Sequence, residues 1–246
     1  MLAVVSFVLT VPLEAELVSH WKFDENSGNI AYDSVDNNDG TVYGAQWTIG
    51  KINGALEFDG IDNYVDCGND NSLNLDIGSW GGWFKLNSIA GSSRFIIKSN
   101  ETGTTGMYEL FYNNNYGYNR FDAEILVGSE RYTASSPSGV NAGQWYHVFA
   151  TYDAETLRLY INGQELGVNT MVSGIIDDNT GPLGIGAKTS DPTYKAFGGM
   201  IDDVRIYNHV LSQDEIQALV PEPATLSMLI LGSLALIRRR SLVKIS

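Results

Sequence analysis

Three acids on strand-like segments, Glu109, Asp122 and Glu124, are the nearest this chain comes to a set for general acid–base chemistry. Asp122 and Glu124 stand two residues apart, so strand alternation sends both to one face. Two carboxyls about 5 Å apart would suit a retaining cleavage of a sugar bond. A third acid at matching spacing is missing, and an exposed polar strand face accounts for the group. His20, His147 and His209 are scattered, with no Ser or Cys nucleophile motif beside them. Cys67 is single, which rules out an intrachain disulfide, and its inward strand position reads as packing. No catalytic residues are assigned, and the expectation is a protein that is not an enzyme.

Binding chemistry is better represented. Sugars stack their C–H faces on aromatic rings and pair their hydroxyls with amides and carboxylates. The segment 108–120 (YELFYNNNYGYNR) interleaves such groups. A hairpin with its tip near residues 113–117 would display Tyr112, Asn114, Tyr116 and Tyr118, and Trp47 is a further candidate. Rings of this kind give contact area at low entropy cost, although ordinary cross-strand tyrosine pairs would use the same residues. The expected partner is a polysaccharide or an extracellular matrix component. A formal charge of −14 excludes nucleic acid, whose binding rests on Lys and Arg neutralising phosphates. It suits divalent cations or solubility alone. Asp–Asn turns could supply calcium with oxygens, but no twelve-residue EF-hand loop fits. Asp62, Asn63 and Asp66 form one weak cluster of this sort.

The elements that must position these residues read as strands. Twenty-six glycines and many Asn–Asp pairs punctuate short alternating runs. Leu17, Ser19, Trp21 and Phe23 are predicted on one face; Phe121, Ala123, Ile125 and Val127 alternate against Asp122 and Glu124. The run 145–152 is apolar on both faces, as in a covered strand. Leu157, Leu159 and Ile161 lead into Asn162-Gly163, a type I′ hairpin signal. Trp21, Trp80 and Trp145 are predicted buried, with Trp83 undecided. One helix is signalled at 213–219: Ser212 can cap the Glu215 amide while Glu215 reaches back, and Leu211 can staple to Ile216. No helical pattern separates the strands, so the class is all-β.

Both ends look like processing segments. Residues 2–13 are apolar but too short to span a bilayer, and a small residue at Ala15 suits signal cleavage. The basic start of such a signal is missing, so a true start upstream is expected; a buried first strand is the alternative. At the other end Pro221-Glu222-Pro223 is followed by an apolar stretch at 224–237 and by Arg238-Arg239-Arg240. As a helix that stretch rises about 21 Å, short of a roughly 30 Å hydrocarbon core, and its cations would stay on the cytoplasmic side. The order of the three parts resembles the PEP-CTERM sorting signal. The resemblance implies recognition and cleavage by an exosortase-type enzyme, with the membrane as a partner before processing. An ordinary C-terminal anchor would give the same topology. The domain reading is therefore 1–15 signal, 16–219 body and 220–246 sorting tail, with the body exported to the cell surface or matrix.

Several segments stand out in order along the body: VSHWKFDE from Val18 with Asn38-Asp39-Gly40, ALEFDG from Ala55, WYHV from Trp145 with LYING from Leu159, and FGGMIDDVRIY from Phe197. Together they resemble laminin G-like domains of the concanavalin A-like lectin kind. The resemblance implies a two-sheet antiparallel jelly-roll sandwich, one short C-terminal helix closing the domain, and then the hydrophobic tail helix. Glycoside hydrolases on this sandwich carry a Glu-x-Asp-x-x-Glu strand motif that is absent here; a divergent hydrolase or lyase is the runner-up reading, beside a structural surface protein without a ligand. Jelly-roll binding modules often tie first strand to last with a calcium ion. Carried onto this chain, the implied structural Ca2+ ligands are Asp24, Asn38 and Gly40 of the 38–40 turn, and Asp202 or Asp203, with Asp203 preferred.

Overall fold

The computed structural model describes residues 16–99, 107–178 and 180–221. The sorting motif from Glu222 onward, its arginines, the tail helix and the signal segment 1–15 lie outside the described residues. In chain order the strands are β1 Leu17–Trp21, β2 Ile30–Ala31, β3 Gly40–Tyr43, β4 Gln46–Ile49, β5 Gly54–Asp59, β6 Tyr64–Asp66, β7 Gly78–Leu86 and β8 Ser93–Lys98. They continue as β9 Tyr108–Asn113, β10 Arg120–Val127, β11 Glu130–Ser135, β12 Trp145–Tyr152, β13 Leu157–Ile161, β14 Gln164–Asn169, β15 Leu183–Ile185 and β16 Gly198–Tyr207. A single helix, α1 Gln213–Ala218, follows.

The strands form two eight-stranded sheets, every pairing antiparallel. The first sheet runs β14-β13-β12-β7-β16-β5-β4, with β1 also on β16; the second runs β11-β10-β9-β8-β15-β6-β3-β2. This is the jelly-roll sandwich expected from the alternating pattern. Phe121, Ala123, Ile125 and Val127 all enter the core, as do Leu157, Leu159 and Ile161. Phe84 stacks on Phe95 at 4.3 Å, and Phe95 meets Phe121 at 5.8 Å and Phe197 at 5.3 Å, so aromatic rings join the sheets at the centre. Asn162 and Gly163 take φ of 51° and 79°, the left-handed pair a type I′ turn needs.

Three expectations are corrected. The run from Leu17 does not alternate cleanly: a register shift between Leu17 and Ser19 puts Val18 in the core and Leu17 against the helix side. Trp145, at the first position of β12, is half-exposed, whereas Trp21 and Trp80 are buried. Asp122 and Glu124 share a face as predicted, but that face is not open to solvent: they are 1% and 6% exposed.

Part of the outer face of the first sheet is covered. Ser212 and Glu215 form the expected capping box, and Ile216 packs with Leu211, Phe149, Tyr160 and Tyr207. Further along this face Trp83 sits 5.1 Å from the His147 ring, which also stacks on Phe149 at 5.2 Å, with Lys51 over Trp83. His147 is therefore buried, its Nδ1 without a hydrogen-bond partner. Burial, against the attraction of Asp203, pushes its pKa down to about 4. Its ordinary value is about 6.5, so the unfolded chain takes up the proton first as pH falls. The contribution of His147 is then constant above that value and is lost between the two. Urea melts at pH 7 and pH 4.5 should show a loss on the order of 2 kcal/mol from this group on acidification. His147→Leu removes that component; an identical pH response in both proteins refutes it.

Candidate functional site

The outer face of the second sheet carries charged side chains on four neighbouring strands. Glu109 of β9 lies directly across from Glu124 of β10. Arg94 of β8 bonds Glu109 through Nε to Oε2 at 2.9 Å, and Arg131 of β11 bonds Glu124 through Nε to Oε1 at 2.9 Å. Thr133 donates its hydroxyl to the other Glu124 oxygen at 3.2 Å. One position along, Asp122 accepts from Asn113 at 2.6 Å and pairs with Arg120 at 2.9 Å. Burial, then the charge and hydrogen bond of Glu109, push Glu124 up to about 8 against the pull of Arg131 and Thr133. Glu124 thus favours its neutral form at neutral pH.

These groups form the floor of a cleft of about 170 Å3, with Phe111, Asn113 and Asn115, bounded by Arg131, Tyr194 and Lys195. Tyr194 and Lys195 come from the 186–197 connection. It crosses the outer face of β15, because Gly184 leaves room there: a Cβ would fall 2.2 Å from the Ala187 carbonyl. Tyr194 packs on Arg94 and under Lys195. On the other side of Lys195 lies a second hollow of about 390 Å3, lined by Asp59, Asn87, Ser88, Ser92, Ser93 and Thr193 among others. This hollow opens where the β7–β8 connection meets the ends of β5 and β16 of the first sheet, and it shares only Lys195 with the cleft. A larger cavity of about 530 Å3, lined by Asn71, Asn74, Asp76 and Asn208 among others, gathers no comparable set of paired charges.

The residues expected to bind a ligand are divided. Tyr116 is 96% exposed and meets Tyr118 edge-on at 6.1 Å, while Tyr118 lies on Arg120 at 4.3 Å. Both belong to the β9–β10 connection, whose Asn115 lines the cleft. Tyr112 does not join them. Its ring faces the core, fully buried, and its hydroxyl bonds Asn119, because alternation from Leu110 directs it inward. Asn114 is spent on the loop itself, bonding the Ile89 carbonyl and the Asn119 amide. Trp47 lies on β4, at an edge of the other sheet, with its indole N–H on the Gly28 carbonyl. Sequence reasoning set aside Glu109 and Glu124 and did not select Arg94, Arg131, Tyr194 or Lys195. Alternating polar residues on adjacent strands were the available signal for the first four; the last two sit in a loop without a pattern.

The proposed calcium ligands are also dispersed. Asn38 bonds Ser19 and Ser72 through its amide, and Gly40 turns inward toward Val65 and Cys67. Asp203 takes φ of 53° at a register shift in β16 and bonds His20 at 2.6 Å and Arg205 at 3.1 Å. Burial opposes its ionisation, but those two partners hold its pKa below the ordinary value. Asp24 instead shares the 50–54 turn with Asp202. Asp24 accepts from the Gly54 amide at 2.8 Å, and Asp202 accepts from the Ile52 amide at 2.7 Å. The other Asp202 oxygen is buried without a hydrogen-bond partner. Among the described residues, no three His, Cys, Asp or Glu side chains converge as a metal cluster, and no helix is long and apolar enough to cross a membrane.

A two-sheet sandwich with a polar cleft on one outer face is the architecture of lectins and of the glucanases built like them. The chain belongs to the concanavalin A-like lectin/glucanases superfamily, its laminin G-type family model matching residues 59–217. Among solved structures it is similar to domain 4 of AbnA, an extracellular GH43 arabinanase of Geobacillus stearothermophilus determined with arabinotriose. The identity is 21% and the TM-score 0.66, over 84% of this chain and 99% of that one. The CBM40 of the Ruminococcus gnavus IT-sialidase, bound to α2,3 sialyllactose, matches at 19% identity and TM-score 0.53, over 68% of this chain and 96% of that one. Trypanosoma rangeli sialidase matches at 18% identity and TM-score 0.63, over 83% of this chain but 32% of its own length. These likenesses establish the fold. No curated protein sequence matches the chain.

Proposed function

We propose that this domain is a non-catalytic carbohydrate-binding module whose ligand lies along the outer face of the second sheet. The observation that carries this is the cleft beside Lys195, floored by ion-paired side chains and bounded by Tyr194, with exposed Tyr116 next in the chain to the lining residue Asn115. Fixed polar groups set hydrogen-bond direction, Tyr194 holds Arg94 and Lys195 in place, and the open ring of Tyr116 offers stacking surface. The relatives determined with arabinotriose and sialyllactose support a saccharide as ligand. Glu109 and Glu124 raise the alternative of hydrolysis. Yet each glutamate is tied to its own arginine, Glu109 to Arg94 and Glu124 to Arg131, and the Glu-x-Asp-x-x-Glu strand motif is absent from the chain. Glycan arrays followed by calorimetry should find a bound oligosaccharide, with Tyr116→Ala and Tyr194→Ala each weakening it about fivefold. Unchanged affinity in both would move the site elsewhere, and failure to bind any glycan would favour a structural surface protein. Reducing ends released from the same polysaccharides, and lost in Glu124→Gln, would make it a hydrolase.

We also propose a structural calcium ion held by Asp24 and Asp202 with oxygens of the 50–54 turn. The unpartnered Asp202 oxygen supports this, since a buried carboxylate oxygen is costly without a proton, donor or cation. The ion would neutralise the two acids and tie β1 to β16 through that turn. Calcium should raise the melting temperature of the wild type by several degrees and leave Asp202→Asn unmoved; an equal rise in both would remove Asp202 from the site.

The tail reading stands with these. Export, cleavage near Pro221-Glu222-Pro223 by an exosortase-type enzyme, and display at the surface or in the matrix fit a sugar-binding domain that must meet polysaccharide outside the cell. The intact mass of surface-derived protein should end close to Pro223; a retained Arg238-Arg239-Arg240 tail would make the segment a permanent anchor.

A further inference from the structure

The cleft differs in charge from the chain around it. The whole chain carries −14, but Arg94, Arg131 and Lys195 line the cleft, with Lys188 close to Arg94 and Glu109. The opposing acids are Glu109 and Glu124, directly across the ladder from each other; with Glu124 pushed up to about 8, the two carry at most one negative charge at neutral pH. Three lining cations against that single charge leave a surplus of about two positive charges, counted over the named groups. Resting on the sugar-binding reading above, we propose that this cleft is the subsite for an acidic sugar, a residue bearing a carboxylate or a sulfate, with Arg131 and Lys195 as its contacts.

The division of labour follows from burial. Arg94 is 5% exposed and locked between Glu109 and Tyr194, so it contributes field and rigidity. The Arg131 side chain is 49% exposed, with its Nε on Glu124 and the rest of its fork facing outward. Lys195 is held over Tyr194 at 5.2 Å, which aims its ammonium along the rim. A cleft of about 170 Å3 is smaller than a whole-ligand pocket and suits one ring of a longer chain. Screening over about 8 Å confines its attraction to that ring, while the acidic body repels the rest of a uniformly charged polymer. The expected ligand is therefore a saccharide with acidic groups at intervals.

The groups facing the glutamate pair are Arg94 from β8, Arg131 and Thr133 from β11, and Lys188, Tyr194 and Lys195 from the 186–197 connection, with Asp191 beside Lys188. Asp122 is engaged by Arg120 and Asn113. With Glu124 pushed up to about 8, raising the pH to 9 removes its proton and cancels one unit of the positive surplus. Acidic-sugar binding weakens accordingly, whereas neutral-sugar binding does not.

Calorimetry on the full chain separates the possibilities, with oligogalacturonate as the carboxylate probe, carrageenan oligosaccharide as the sulfate probe and maltohexaose as the neutral one. The expected result is at least one acidic probe bound about tenfold more tightly than maltohexaose at pH 7. Lys195→Gln should weaken the acidic probe about fivefold and the neutral one less than about twofold. Raising the pH to 9 should weaken the acidic probe several-fold in the wild type and not in Glu124→Gln. Equal affinity for acidic and neutral probes, or an equal loss on both in Lys195→Gln, overturns the acidic subsite and leaves sugar binding standing. Binding of none of the three overturns the subsite, and an array without hits removes the sugar-binding reading beneath it. Urea melts keep the Lys195 variant interpretable by showing whether it is folded.

Discussion

Two apolar sheet faces must bury each other, and everything else in this protein is arranged around that requirement. Hydrophobic burial stabilises by roughly 25 cal/mol per Å2, so a chain without disulfides depends on one large continuous core. The contact between Phe84 and Phe95, with Phe121 and Phe197 around it, lies where the middle strands of both sheets face each other. Strand β16, paired to β1, β5 and β7, links the beginning, middle and end of the domain in one sheet. The sandwich closes only when residues far apart in sequence meet.

Once the inner faces are committed, the outer faces are free to differ, and they do. The first sheet buries part of its outer face under α1 and around Trp83 and His147. The second sheet places charged residues there and roofs part of them with the 186–197 connection. Buried charge is tolerated only with partners, which explains why Arg94, Glu109, Glu124 and Arg131 form an unbroken row across four strands. Removing Arg94 or Arg131 would leave a buried glutamate without its arginine. Such a row is rigid, and rigidity is what a recognition surface needs, because little ordering cost is left for binding.

The same reasoning separates the two clusters near the N- and C-terminal strands. Asp202 and Asp203 are adjacent, but the register shift in β16 turns them to different surroundings. Asp203 finds His20 and Arg205 and is settled as an ion pair. Asp202 finds backbone amides of the 50–54 turn on one oxygen and nothing on the other. An acid left in that condition is the one that gains most from a cation.

Local pattern determined much of this protein. Alternation at residues 121–127 and 157–161, the Asn162-Gly163 turn and the Ser212–Glu215 capping box depend on neighbours within a few positions, so the all-β class and the closing helix were legible in the chain. The exposure of Tyr116 and Tyr118 at a loop tip was equally local. Only the tertiary structure decided which polar residues face solvent and which face one another. Asp122 and Glu124 share a face by alternation alone. What they meet there is not local: Asn113 of β9 bonds Asp122, and Arg131 of β11 with the cleft under the 186–197 connection receives Glu124. A one-residue register shift likewise chose between Asp202 and Asp203. Side-chain period is a property of a strand; the partner across the ladder, and whatever covers it, is a property of the fold, because desolvation and charge pairing act through space and not along the chain.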